Sequence, residues 1–302
     1  MADIWSCGVP ARPDGIKDSM ADLKITVWNV GDGNAISIEF PTPDCKLAMV
    51  DIGSTADFSP ICAMMQKGHR SLEWLIITHP HSDHFEDVCN LKTLGMEPQT
   101  LHRVKDVPDD LIREKNPEVD SVDSYLELDK RYTANVPECD KITNLANTGG
   151  VDVKIFKPKS RETQNINDYS LVLVVSYQGE KILLPGDITP ASMNGLLEDR
   201  EFLTAIMGTK ILVAPHHGRE SCFCAELFDY INPELCIISK GEDVSENSAT
   251  TAYDRVCLGG LVYDSARNPV YRKCLSTLSD GDVIVVVDDF GRRMVSCSGR
   301  MN

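Results

Sequence analysis

Residues 78–88 read "THPHSDHFEDV", three histidines and three acids directly behind the apolar run Leu72-Glu73-Trp74-Leu75-Ile76-Ile77. An apolar run this short, closed by polar residues, reads as a buried strand, so the histidines stand where a strand ends. Three of the chain's seven histidines fall within six residues, which makes a merely solvated loop the poorer reading. Imidazole and carboxylate together suit zinc, iron or manganese. What the rest of the chain must decide is whether the site takes one cation or two.

Further residues with ligand chemistry recur at strand ends. Asp51 ends "LAMVDIG", Asp187 ends "KILLPGD", and His216 and His217 follow "KILVAP". Ligands grouped this way can converge at one edge of a sheet, where loops are free to carry function. His79 and His81, two apart in an extended turn, can point the same way and grip one cation. Asp83 and His84 are adjacent and diverge toward a second. Asp187 has two oxygens and can bridge both ions, and His217 or His216 would complete the second set. Such a pair of cations holds water as hydroxide at neutral pH and clamps attacking and leaving oxygens. Singly, the motifs are weak: "HHG" is as readily a turn, "PGD" is a common turn, and "DIG" could be only a strand end. His69 and His102 read as surface or structural histidines. The joint order carries the reading.

The 302 residues are 42% hydrophobic and 25% charged, an ordinary globular composition. No apolar run approaches the roughly 20 residues of a membrane-spanning helix. The opening "MADIWSCGVPARPDG" lacks the basic and apolar regions of a secretory signal. A cytoplasmic protein with no membrane partner is expected. Eleven unpatterned cysteines then read as free thiols, and Cys222-Phe223-Cys224 as packed ones. The net charge of −16 excludes a broad basic face for gripping nucleic acid. It leaves a small substrate, a local positive funnel, a partner that brings the substrate, or cations that supply charge at a reacting phosphate.

Turn chemistry at "GDGN" and "PTPD" separates strands expected at Lys24–Val30, Ala35–Phe40 and Lys46–Asp51. A helix over 58–68, the strand Leu72–Thr78, a helix over 85–95 and a strand over 99–104 follow. Residues 105–147 read as an inserted helical region, with helices at Asp109–Lys115 and Val122–Tyr132. The second half repeats the theme, with strands at Val151–Phe156, Ser170–Tyr177, Lys181–Leu184, Ile211–Ala214 and Leu235–Ser239. Its helices are expected at Ala191–Glu198, Cys222–Tyr230 and from Ala249 to about Leu258. A hairpin over Thr277–Asp288 with "SDGD" as its turn closes the chain. Residues 1–22 read as a loose lead-in and 23–302 as one domain of the α/β (α+β) class. Two runs of strands, each followed by helices, predict two sheets packed face to face with helices outside.

His79-Pro80-His81-Ser82-Asp83-His84, followed in order by Gly186-Asp187 and a late histidine, resembles the H-x-H-x-D-H signature of the metallo-β-lactamase superfamily. The resemblance is nearest to the ComEC-type hydrolase domain of DNA-uptake proteins. "NVGDGNAISIEF" at 29–40 stands for its "DVGQGDA"-like loop, Asn167-Asp168-Tyr169-Ser170-Leu171-Val172-Leu173 for its "N-x-x-S-L-V-L", and "NPELCIISKG" at 232–241 for its "P-x-x-A-I-I-S-x-G". It runs from about Lys24 to Val295, outside the insert. It implies an αββα sandwich with a dimetal site at one edge. His79 and His81 would hold the first ion. Asp83, His84 and His217 or His216 would hold the second, with Asp187 between and Asp51 orienting a ligand histidine. Two departures stand out. No histidine lies between His102 and His216 to complete the first shell, which leaves Asn167, Asp168 or water. The branch's "N-x-Y-x-H-P" is also missing from "EDVSENSATTAY".

The expected activity is hydrolysis of a phosphodiester, in a nucleic acid or nucleotide, with two divalent ions. Zn2+ is the first choice, and Mn2+ suits an oxygen-rich shell. Asp83 and His216 are the catalytic candidates, His216 as proton donor to the leaving group if it is not a ligand. Arg219 and Lys240 are candidate phosphate contacts, although both residue types are more often solvated charges. The alternatives are hydrolysis of a lactone, thioester or amide, and a metal-bound regulatory module without turnover.

Overall fold

The computed structural model describes residues 22–117, 119–159, 164–242 and 247–299. The lead-in over 1–22 lies, apart from its last residue, outside them. Among the described residues two β-sheets form. Strands β1 (Leu23–Val27), β2 (Ala35–Glu39), β3 (Leu47–Ile52), β4 (Leu72–Ile76) and β5 (Pro98–His102) begin the larger sheet. The helices of this half are α1 (Pro60–Gln66), α2 (Val88–Thr93), α3 (Asp109–Lys115) and α4 (Ser121–Arg131). The smaller sheet begins with β6 (Asp152–Phe156), β7 (Val172–Tyr177), β8 (Glu180–Leu184), β9 (Ile211–Val213) and β10 (Leu235–Ile238). With it come α5 (Pro190–Leu197), α6 (Arg200–Ile206) and α7 (Thr250–Val256). The chain then adds β11 (Gly260–Tyr263), β12 (Pro269–Arg272), β13 (Cys274–Ser276), α8 (Thr277–Asp280), β14 (Val283–Val287) and β15 (Arg293–Cys297).

The larger sheet runs β12-β11-β15-β14-β1-β2-β3-β4-β5 and the smaller β13-β10-β9-β8-β7-β6. Side-chain alternation explains the layering. In β7, Leu173, Val175 and Tyr177 join the core between the sheets, while Val172 and Val174 join a second cluster with α5, α6 and α7. A strand covered on both faces reads as a continuous apolar run, which is why "LVLVVSY" is legible as one. Every residue of β3 is likewise buried, and α1, α2, α3 and α4 extend the first core. The result is helices, sheet, sheet, helices, the αββα sandwich. The helical insert is part of that core: Leu111, Ile112, Tyr125 and Leu126 are buried in it, and Tyr125 stacks on Phe85 at 4.4 Å.

β3, β4 and β5 run parallel, as do β8, β9, β10 and β13. Their carboxyl ends are where the ligand-type residues emerge. Three local expectations fail. "SDGD" is no hairpin turn: Asp280 accepts from the Ser276 N–H at 2.8 Å and closes the short α8, while the hairpin β14–β15 turns at 288–292 around Asp288. Residues 222–230 form 3-10 turns instead of an α-helix, and β11, β12 and α6 were not anticipated. All cysteines among the described residues are free thiols. No helix among them is long and apolar enough to cross a membrane.

Candidate metal centre

Asp51 is the foundation of the site. It is fully buried at the end of β3 with φ +57°, a left-handed conformation that turns its carboxylate toward the end of β4. Oδ1 accepts from the Thr78 N–H at 2.7 Å. Oδ2 accepts from Asn34 Nδ2 at 2.8 Å, Thr78 Oγ1 at 2.8 Å and His84 Nδ1 at 2.7 Å. The last bond fixes the His84 tautomer and leaves Nε2 to face outward from Asp51, the arrangement that raises a ligand histidine's basicity.

Beyond that foundation four imidazoles gather round one oxygen. Asp187 Oδ2 lies 3.3 Å from His84 Nε2, 3.4 Å from His217 Nε2, 3.7 Å from His216 Nε2 and 3.9 Å from His79 Nε2. Asp83 Oδ2 stands 3.2 Å from His217 Nε2 and 3.7 Å from His84 Nε2. One ligand atom each from Asp83, His84, Asp187 and His217 thus falls within 4.8 Å of the others. His79 Nε2 and His81 Nδ1 converge at 3.0 Å beside this group.

The electrostatics demand positive charge. Burial alone would lower the His84 pKa, but the carboxylates of Asp187, Asp51 and Asp83 raise it well above the usual value. His217, against the same burial cost, is pushed up to about 10 by Asp187 and Asp83. Burial would also neutralise Asp187, yet His84 and His217 hold it ionised. His79 and His81 are lowered, chiefly by burial, so their lone pairs are available to a cation. His84 Nε2, His217 Nε2 and Asn167 Oδ1 are buried without an aligned hydrogen-bond partner. Buried polar atoms are seldom left so. These donors fit divalent cations held by nitrogen and oxygen.

The late histidines are set by strained backbone. His216 and His217 have φ +50° and +54°, both left-handed, with Gly186 and Gly218 at +57° and +70° beside them. His217 donates from Nδ1 to the Ser239 carbonyl at 3.1 Å, and Ser239 Oγ donates to the Gly33 carbonyl at 2.9 Å. His216 Nδ1 lies 3.0 Å from Cys222 Sγ and 3.4 Å from Asn167 Nδ2. Turning the Asn167 amide over exchanges its N–H and oxygen, so it can offer either to the cluster. Asp168 is directed elsewhere: its carboxylate accepts from Thr189 and Ser192 at the start of α5. Arg219 is near enough to His216 to help lower its pKa, after burial and His217. Lys240 is half-buried in the loop after β10, its N–H donating to Thr277 Oγ1.

Several residues that build the site were invisible as motifs. Thr78 and Asn34 satisfy Asp51, and Asn116 holds the histidine loop. Asn116 Oδ1 accepts from the Ser82 N–H at 2.6 Å and Nδ2 donates to the Pro80 carbonyl at 3.0 Å, so the insert grips the loop directly. A Cβ on Gly53 would lie 2.3 Å from the Asp83 carbonyl oxygen, and one on Gly33 2.6 Å from it. Only the glycine of "DIG" and the second of "GDG" hinted at such close approach.

No family model matches the chain, and no curated protein matches it. Solved structures do. Igni18, a metallo hydrolase from the archaeon Ignicoccus hospitalis, shares 13% identity over 87% of this chain and 98% of its own, with TM-score 0.49. The metallo-β-lactamase MIM-1 from Novosphingobium pentaromativorans shares 15% over 63% and 76%, with TM-score 0.35. The short form of human tRNase Z shares 13% over 74% and 97%, with TM-score 0.37. At 13–15% identity the likeness is one of fold alone.

Proposed function

We propose that the chain is a metal-dependent phosphodiesterase of the metallo-β-lactamase type, akin to the ComEC branch, acting in the cytoplasm as one domain over 23–302 with its insert at 105–147. The supporting observation is the single Asp187 oxygen within 3.9 Å of four imidazole nitrogens, flanked by Asp83 and by the converging His79–His81 pair. In this reading His79, His81 and Asn167 would hold one divalent cation, and Asp83, His84 and His217 the other, with Asp187 available to both. Zn2+ is the first candidate and Mn2+ the second. Two such cations supply charge to a phosphoryl oxygen and make water nucleophilic at neutral pH.

The chain's own residues do the rest. Asp51 keeps His84 in the ligating tautomer, and the Ser239 carbonyl does the same for His217. Arg219 and Lys240 meet the non-reacting phosphate oxygens. His216, mostly buried with Nε2 3.7 Å from Asp187 Oδ2, passes a ring proton to the leaving oxygen. Metal analysis of the purified chain, together with turnover of bis-p-nitrophenyl phosphate, single-stranded DNA and a lactone panel, tests this. Phosphodiester cleavage that disappears with chelation is the expected result.

One observation favours a second reading. The net charge of −16 suits a small carbonyl substrate, a lactone, thioester or amide, better than a long polyanion. Turnover confined to the lactone panel would decide for it.

A further inference from the structure

Away from the candidate metal centre, three cysteines from three different elements meet under α7. Cys236 in β10 and Cys274 in β13 are register partners on adjacent parallel strands, so their side chains leave the sheet on the same face. α7 packs over both strands, and Cys257 caps its C-terminal end. Cys236 and Cys257 are buried, whereas Cys274 is half-buried and directs Sγ at the Thr250 carbonyl, 3.8 Å away. Cys236 and Cys257 belong to one buried cluster, and Cys274 packs against it.

Packing alone does not call for three thiols in contact. A small aliphatic side chain fills such a site as well, without a weak S–H donor to satisfy. Strand neighbours stand about 4.8 Å apart, inside the Cα separation of roughly 4.4–6.8 Å that a disulfide spans. Leu258, next to Cys257, is 58% exposed and Cys274 is itself only half-buried, so the trio lies just under the surface.

We propose that Cys236, Cys257 and Cys274 form a peroxide-oxidisable trithiol that closes an intramolecular disulfide. The Cys257 sulfur attacks one oxygen of hydrogen peroxide; the O–O bond breaks, an S–OH group forms, and the departing hydroxide takes the Cys257 proton and leaves as water. The Cys274 thiol attacks that sulfur; the S–S bond forms, the S–O bond breaks, and the leaving hydroxyl takes the Cys274 proton to become the second water. Two sulfurs lose two electrons, and one peroxide becomes two waters. The third thiol, Cys236, can then exchange to give the cross-strand Cys236–Cys274 link. The neighbouring Cys236 and Cys274 thiols lower the Cys257 thiol against the cost of burial, which suits it to the first step. Ser239, whose carbonyl holds His217, directly follows β10, so a brace between β10 and β13 bears on the other site.

The experiment treats the reduced, folded chain with a few equivalents of hydrogen peroxide, alkylates it in denaturant and maps the peptides by mass spectrometry. The expected result is one disulfide within the trio, the third cysteine still alkylated, and linkage at least tenfold slower in Cys257→Ser. Cys236→Ser should still give Cys257–Cys274, which checks the order of events if the Cys257 variant folds poorly. Three alkylated cysteines beside oxidised Cys45, Cys89 and Cys139 would overturn the proposal. So would linkage that forms equally fast in the urea-unfolded chain.

Discussion

The His84 imidazole donates from Nδ1 to Asp51 Oδ2 at 2.7 Å, and neither side chain is exposed. Because that carboxylate also takes three other hydrogen bonds, Asp51→Asn should do two things. An amide presents one acceptor oxygen where four donors converge, so stability should fall by about 2–4 kcal/mol. His84 loses its orienting anion, so Zn2+ affinity of the folded fraction should drop about 10–100-fold. Urea titration and competitive zinc titration measure the two effects separately.

Asp83→Ala removes a proposed ligand whose side chain is 40% exposed, and His84→Ala removes a buried one at a cost of about 2–4 kcal/mol for the unpaired Asp51 carboxylate; both variants should still fold. Metal content should fall from about two per chain toward one, and phosphodiester turnover should vanish. Circular dichroism should be unchanged. Turnover retained in either variant would sink the two-cation reading.

Asn116 ties the insert to the histidine loop through Ser82 and Pro80. Asn116→Ala should cost about 1–3 kcal/mol for the unpaired backbone groups. It should also weaken metal binding although Asn116 touches no ligand atom. Intact metal affinity would show that the loop holds its shape without the insert.

Gly53 and Gly195 make a contrasting pair. A Cβ on Gly53 would strike the Asp83 carbonyl oxygen at 2.3 Å, whereas one on Gly195 in α5 meets nothing within 4 Å. Gly53→Ala should destabilise by about 2 kcal/mol or more and displace the ligand loop. Gly195→Ala should stabilise by about 0.5–1 kcal/mol through helix propensity. Thermal melts of both variants decide the sign.

Glu39 sets an acid limit. Burial would raise its carboxyl, but His69, Lys24 and Lys67 bring it down from 4.5 to about 2. A depressed folded-state value means that this stabilisation is fully present above the ordinary 4.5 and is lost as pH falls toward 2. Its size is on the order of 2 kcal/mol after allowance for solvent screening. Urea midpoints should therefore drop between pH 5 and pH 2.5, and Glu39→Gln should flatten that part of the profile.

Much of the architecture was legible because its strands are doubly covered. "LAMVDI", "LEWLI" and "LVLVVSY" are continuous apolar runs, and the order of polar residues behind them located one sheet edge. The missed pieces lack such patterning. β12, "PVYR", begins with proline and leaves Tyr271 62% exposed, as an edge strand can. "SDGD" and "DDFGR" carry equal turn chemistry, and only the pairing of β14 with both β1 and β15 chooses between them. At the site, the histidines and acids were legible as residue types. Asp168 was not separable from Asn167, because which of two neighbours faces the cluster depends on the turn before β7. Thr78, Asn34 and Asn116 act through hydrogen bonds that no spacing encodes.

The left-handed backbone at Asp51, His216 and His217 has a consequence for how this protein can change. A residue with a Cβ held in that region carries on the order of 1 kcal/mol of strain that glycine would not. Replacing His216 by glycine should therefore make the chain harder to melt while removing the proposed proton donor. Thermal robustness and turnover thus pull His216 in opposite directions, whereas the hydrogen bonds of Asp51 and His217 make the same exchange costly to both. A library screened for heat resistance alone would drift toward a sturdier, silent sandwich.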